Sequence, residues 1–522
     1  MDSSINFPNI DVPIISATTP QDNSDQKVLF VGPAIPEVAS ATLSQNISNS
    51  ESAIIAAFGD GSVLSRMLIN ARKLNTICEF DAISVEAPTA GVASTAVVTF
   101  TGTATEDSTV EVILESSVDG IVSVTVSDTD TETQVGDALV AALAAKTGIA
   151  FTGVNAAGVV TITYGGLGVI GDELSISASS NTAGITVAVA GFLTTSTGVG
   201  VPDNLSSVLD LIGEERYQTI VWPFASQTEL EIVADFLDAR FNATDQVQDG
   251  VAITCKTDTF ANLATLGNLF NSQSAVIIGD EFSTASTTDE SSAIFESPWV
   301  IAAQFGSIRA LRRQPDANIT NLVISKSGAL DTTGGPALSS KPYANTPFSV
   351  LPLIGIGRGF TRQEMSDLND DGVSVLGNNR AKTSIIAGPI VTTYKTDAAA
   401  NADTSFKFLN YVDTASTGRE YVFNNLQSTY AQSRLTDGNL IKGRDMANEE
   451  SIFATMVGFY QVLSEKDYVV ARKGEDILQY FKENLSVSVD LLDGTVDIAF
   501  NLPIVTQLRE INAPMTLTFN IE

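Results

Sequence analysis

The sequence predicts a multidomain protein of mixed α+β and α/β class, and three observations carry that prediction. Strand-like and helix-like apolar patterns alternate over residues 27–85 and again over 201–340, as in a mainly parallel sheet covered by helices. Between them, residues 86–200 shift to Thr, Val, Ala, Ser and Gly, with Lys146 the one basic residue against a dozen acids. A helix-rich stretch, 341–505, follows, and short alternating segments close the chain at both ends.

Composition narrows the function. At 522 residues the chain is expected to hold two to four domains. A net charge of −33 argues against direct nucleic-acid binding, which needs basic stripes. The sequence has no histidine, which removes the usual general base, the Ser-His and Cys-His nucleophiles and the commonest zinc ligand. An enzyme is therefore not expected, and neither a cofactor nor a metal is predicted. Cys78 and Cys255 sit in apolar, strand-like contexts and are expected to be buried thiols. The start, MDSSINFPNIDVP, has no basic and apolar leader pattern. No apolar run is long enough to span a membrane, so a soluble protein is expected.

Residues 1–26 are expected to form an arm. Ile5 and Phe7, then Ile10, Val12 and Ile14, alternate with polar residues, while Pro8 and Pro13 restrict the segment to an edge strand. On its polar leash, TTPQDNSDQ, such a strand suits addition to another molecule's sheet. A frayed end, or a strand on the chain's own sheet, is the competing account of the same residues. KVLFVGPA from Lys27 is a buried strand ending in a Gly-Pro turn. Ser50–Leu74 has helical apolar spacing broken at Gly59–Ser62, with Ser62 as N-cap of the second half.

Within 86–200, VVTFTGTA, TVEVILES, GIVSVTVS and GVVTITYG alternate as strands, and Thr133–Lys146 is a helix. This β-rich outer domain carries no recognisable chemistry, and its removal (88–199) is expected to leave the core fold intact. The α/β pattern resumes with strands at Tyr217–Trp222, Gly250–Lys256 and Ser274–Ile278 and helices at Thr228–Phe241 and Thr259–Phe270. Ser297–Arg313 is expected to be an amphipathic helix whose Arg309, Arg312 and Arg313 complement its own C-terminal dipole.

Pro352–Tyr394 invites three accounts. Gly355, Gly357 and Gly359 do not have phosphate-loop spacing, and no Gly-Lys-Ser/Thr follows. Asp367, Asn369, Asp371 and Gly372 match the start of a calcium loop, but Asn378 stands where a bidentate Glu is needed. The third account is a helix capped by Thr361 with Glu364 in a capping box, closed by Gly372 and followed by a β-branched strand. Beyond it, helices are expected within Ser405–Ser433, at Met446–Leu463 and at Lys473–Glu483. A hairpin joins Ser486–Leu491 to Thr495–Asn501 around Asp493-Gly494. Leu517, Phe519 and Ile521 then alternate in a last strand arm, 506–522.

Several stretches, in this order and spacing, resemble the contractile bacteriophage tail sheath proteins of the Mu-like branch. They are FGDGSVLSRMLINARKLN, YQTIVWPFASQTELEIVADFLDARF, GFTRQEMSDLNDDGVSVL, GPIVTTYKTD and LPIVTQLREINAPMTLTFNI. Thr361, Glu364, Leu368 and Gly372 match the family's threonine–glutamate–leucine–glycine segment, although the run before the glycine is more acidic here. The resemblance implies a non-enzymatic subunit of stacked hexameric rings around a tail tube, contacting tail tube, baseplate and tail terminator proteins, with no direct nucleic acid and no membrane. It also implies that terminal arms add strands to a sheet in a neighbour's tube-proximal C-terminal domain. The competing class is a secreted, acidic, β-rich surface-layer or adhesion protein, suggested by the 86–200 composition.

Overall fold

The computed structural model describes residues 26–503 except 116–119, 147–148, 242–247, 282–295, 314–322, 325–329, 332–359, 379–384, 442–443, 466–468 and 470–475. The first elements are β1 (Lys27–Val38), β2 (Thr42–Ser44), α1 (Glu51–Phe58), α2 (Val63–Arg72) and β3 (Glu79–Glu86). Ser62 caps α2, its hydroxyl accepting from Ser65 N at 3.1 Å. Then come β4 (Ala93–Gly102), β5 (Ser108–Leu114), β6 (Ile121–Val126), α3 (Glu132–Ala145), β7 (Phe151–Ala156) and β8 (Val159–Leu167). A 3-10 turn at Val169–Glu173, β9 (Ile176–Ser180), β10 (Ile185–Ala190) and α4 (Phe192–Thr195) complete this stretch. Its strands form two antiparallel sheets, in orders β10-β4-β8-β7 and β6-β5-β9, with α3 packed on β6 and β7.

The chain continues with α5 (Leu205–Asp210), β11 (Thr219–Val221), α6 (Gln227–Phe241), β12 (Val251–Asp258), α7 (Phe260–Asn268), β13 (Ala275–Glu281) and α8 (Pro298–Arg313). A two-stranded pair, β14 (Val323–Ile324) and β15 (Leu330–Asp331), precedes α9 (Arg362–Asp370), β16 (Val373–Asn378) and β17 (Ile385–Ala387). The principal sheet has the order β17-β16-β13-β12-β11-β1-β3-β2. Its central strands run parallel, and antiparallel β17 and β2 close its two edges.

The helices divide between its faces. In α8, a Cβ built at Gly306 would meet Val221 and Ile253 side chains, whereas α7 places Leu263 against Gly279. Ile253 pairs with Val276. Gly279, three positions further along the same strand, therefore points the opposite way. Thus α8, with α2 beside it, covers one face and α7 the other.

Three expectations are corrected. β1 does not stop at Gly32-Pro33 but runs to Val38; β11 pairs only with Val28–Phe30, so the later half has an open edge where proline is tolerated. The expected boundary at 340/341 does not coincide with a sheet edge, because β16 and β17 are the sheet's last strands. Finally, α8 is not amphipathic in place. Residues 298–311 are all buried, and Arg309 is 1% exposed.

The C-terminal stretch holds α10 (Leu409–Tyr430), β18 (Arg434–Leu435) paired with β19 (Met446–Ala447), α11 (Glu449–Glu465), α12 (Ile477–Asn484) and the hairpin β20 (Ser486–Asp490) and β21 (Thr495–Ala499). Gly494 takes φ +69° in the hairpin turn, as the Asp-Gly signal predicts. Two cores result. One is continuous from the principal sheet into the β-rich stretch; the other centres on Met456, Tyr460, Phe481 and Leu485. Helix α10 spans both, with Leu409 and Val412 in the first and Tyr421 and Val422 in the second.

Candidate assembly surface

The segment singled out around Thr361 forms the predicted capped helix, α9. Thr361 Oγ1 accepts from Glu364 N at 3.3 Å, and Glu364 Oε2 accepts from Thr361 N at 2.8 Å. These bonds from Thr361 hold the Glu364 carboxyl below its ordinary range. Leu368 is fully buried. Asp367 lies on the helix and accepts from Gln363 Nε2 at 2.8 Å, so the acidic run is a helical turn and not a coordination loop. Gly372 ends it at φ +85°, where a Cβ would lie 2.9 Å from Thr393 Cα.

What the motif does locally is clamp α9 to α7. A Cβ at Gly267 would sit 2.4 Å from Asp371 O, so the two backbones meet almost directly. Lys395 Nζ donates to Gly267 O at 2.7 Å and Asp371 O at 3.3 Å, joining both helix ends. Burial lowers the Lys395 pKa, and Asp371 opposes the shift. Replacing Gly372 by alanine is expected to cost about 1–3 kcal/mol, combining left-handed strain with the Thr393 contact. A urea midpoint unchanged in Gly372→Ala would sink this assignment.

The terminal strands with Ile5, Phe7, Ile10 and Val12, and with Leu517, Phe519 and Ile521, lie outside the described residues. Among the described surfaces with open strand edges is the β20–β21 hairpin. It is a two-stranded sheet whose outer edges pair with no other strand among the described residues. Val487 and Val489 turn inward toward the second core, while Ser486, Ser488 and Asp490 face solvent. Leu491 and Leu492 at its tip are 46% and 97% exposed. Two strands alone are marginal in water, and α11 supports this pair from one side.

Ion pairs that the sequence did not disclose lock the parts together. Glu115, at the end of β5, receives a bond from Arg66 Nη2 of α2; the side chains are 3% and 2% exposed. Glu115 also accepts from Ser297 N at 2.7 Å and Ser175 N at 3.0 Å. Tyr164 OH of β8 donates to Gly61 O at 3.0 Å. Arg309 Nη2 of α8 pairs with Asp413 Oδ1 of α10 at 2.6 Å, both fully buried. Arg309 therefore does not serve its own helix end, and the side chains of Arg312 and Arg313 lie outside the described set. The one legible signal was Glu115 closing an apolar strand, TVEVILE.

Glu173 has a different environment. Its Oε2 is buried without a hydrogen-bond partner among the described residues, and burial pushes the carboxyl up to about 8, with Lys256 opposing and Asp172 and Glu115 adding. The folded chain then binds more protons than the unfolded one between the ordinary carboxyl range and that value. Stability is expected to fall as pH rises through that window. Glu173→Gln should flatten this part of the pH profile; an unaltered slope in thermal melts from pH 5 to 9 would refute the assignment.

No family model matches the chain, and no curated protein sequence matches it. Among solved structures, the chain is similar to one in the anti-feeding prophage baseplate, at 13% identity over 62% of this chain and 76% of that chain, with TM-score 0.39. It is also similar to the sheath tail protein Lin1278 from Listeria innocua, at 12% identity over 92% of each chain, with TM-score 0.45.

Proposed function

We propose that this chain is the subunit of a contractile tail sheath, of the Mu-like branch, in a virion or virion-like particle. It polymerises as stacked hexameric rings around a tail tube, meets the baseplate at one end and the terminator at the other, and assembles in the host cytoplasm. Contraction drives the tube through the host envelope. The role is non-enzymatic: subunits re-dock between two packings of one polymer.

The observation that supports this most is the β20–β21 hairpin, a two-stranded sheet with open edges among the described residues, in a chain whose sequence has a short alternating apolar pattern near each end. Strand addition satisfies backbone groups on both partners and buries Ile5, Phe7, Leu517, Phe519 and Ile521 between copies. The buried pairs Arg66–Glu115 and Arg309–Asp413 suit a subunit that moves as one body. The β-rich stretch and the α/β sheet then act together, with α9 and Thr361, Glu364, Leu368 and Gly372 as a structural clamp.

Removing residues 1–20, or changing Thr518→Pro, is expected to give monomers with an unaltered melting profile. Each fully buried large apolar side chain contributes about 1.5–3 kcal/mol, so losing one strand removes several such terms per contact. Negative-stain images should show tubes for the parent and none for either variant. Tubes from the truncated chain would mean the arms are not the linking element, and an unfolded variant would place the strands in the subunit's own core.

A further inference from the structure

Between the loop after β2 and the start of β3 lies an open pocket of about 520 Å³ lined in part by Arg72 and Phe80. The guanidinium lies 3.7 Å from the ring centroid. Arg72 is 8% exposed, and it donates to Cys78 O at 3.0 Å and Ile47 O at 2.6 Å. Its Nε has no acceptor among the described residues. No carboxylate pairs with it among the described residues, because Glu79 on the pocket wall is bound by Lys27 at 3.1 Å. Carbonyls and the end of α2 satisfy part of its hydrogen bonding, but they do not neutralise a full charge. Burial pushes the group down only to about 10, so it stays cationic at neutral pH. Asn46, Ser48, Asn49 and Thr76 ring the mouth and are exposed.

We infer that this pocket receives a carboxylate side chain presented by a second copy of this chain. A buried, uncompensated cation is completed by an anion able to accept from it and from the amide and hydroxyl rim. The chain's own surface is the fitting source, since 61 acidic residues stand against 28 basic ones. The inference rests on the self-assembly proposed above and adds a contact separate from the strand arms.

Thr76→Glu tests it, because an intramolecular carboxylate at the rim would fill the pocket while keeping Arg72. Thr76→Glu is expected to melt at or above the parent temperature, yet to need roughly tenfold more protein to polymerise in a sedimentation assay. Arg72→Met, which keeps the stack on Phe80, should raise that threshold similarly. A Thr76→Glu chain that polymerises at the parent concentration overturns the inference, whatever Arg72→Met does to folding. If the parent itself forms no polymer, the assembly proposal has failed and the pocket is judged alone with N-acetylglutamate amide. Amide shifts at Asn46 and Asn49 in the parent but not in Thr76→Glu would uphold a carboxylate site. Shifts in neither chain would refute it.

Discussion

Glu115→Ala is expected to destabilise the folded chain by about 3–5 kcal/mol, the usual cost of stranding one half of a buried ion pair. Arg66 is the half left behind. It is 2% exposed, its Nε and Nη1 have no partner among the described residues, and the face of Trp299 lies 4.8 Å away. The same substitution strips acceptors from Ser297 N, at the start of α8, and from Ser175 N. Glu115→Gln keeps the shape without the charge and should fall between parent and alanine. Arg66→Met combined with Glu115→Leu should recover part of the loss, because an apolar pair of similar volume needs no counter-charge. Urea unfolding followed by tryptophan fluorescence reads all of these, since Trp299 packs at the site. A midpoint for Glu115→Ala equal to the parent's would show that the pair is not the joint described.

This bears on the β-rich stretch, whose removal was expected from composition to leave the core intact. Its residues belong to the same continuous core as the principal sheet. Glu115, Tyr164 and Ala150 meet α2 or the loop before it, and a Cβ at Gly61 would lie 2.7 Å from Ala150 Cβ. Deleting 88–199 is therefore expected to expose the starts of α2 and α8 and give poorly soluble protein. A composition shift marks a change of surface and strand content, but it does not reveal whether the seam beneath is wet or dry.

Much of the fold was legible because its signals are local. The Ser62 cap, the Thr361–Glu364 capping box, the Gly372 stop and the Asp493-Gly494 turn each depend on residues within a few positions. Helix α8 shows where such reasoning fails. Its polar residues suggested a solvent-facing side, yet Ser307 and Arg309 meet partners far along the chain. Ser307 Oγ donates to Ala71 O at 2.8 Å, Ser307 O accepts from Asn75 Nδ2 at 3.0 Å, and Arg309 reaches Asp413. A polar residue that will be satisfied across the core is indistinguishable, in one sequence, from one that will be hydrated. The same limit hid the membership of β16 in the principal sheet, where it pairs with β13 across about a hundred residues.

Asp413→Ala is the companion case, and its consequence differs in kind. Arg309 and Asp413 are 1% and 0% exposed, and Arg309 Nη1 also donates to Thr219 Oγ1 at 2.6 Å and to Gln218 O. The pair ties the C-terminal part of α8 to the first half of α10, the helix that runs on into the second core. Removing the carboxylate strands a guanidinium whose Nε has no partner among the described residues, at about 3–5 kcal/mol. Because that cost falls on the junction, the part built on Tyr421, Met456, Tyr460 and Phe481 should lose its coupling to the principal sheet. Calorimetry is expected to show the parent transition split in two, with the C-terminal part melting first. Arg419→Ala is the control: Arg419 pairs with Asp249 at the same junction but is 34% exposed, and the buried Asp249 keeps Arg216 as a partner, so a smaller loss is expected. If Asp413→Ala and Arg419→Ala shift melting equally, without splitting it, the buried pair is not what makes α10 a rigid joint.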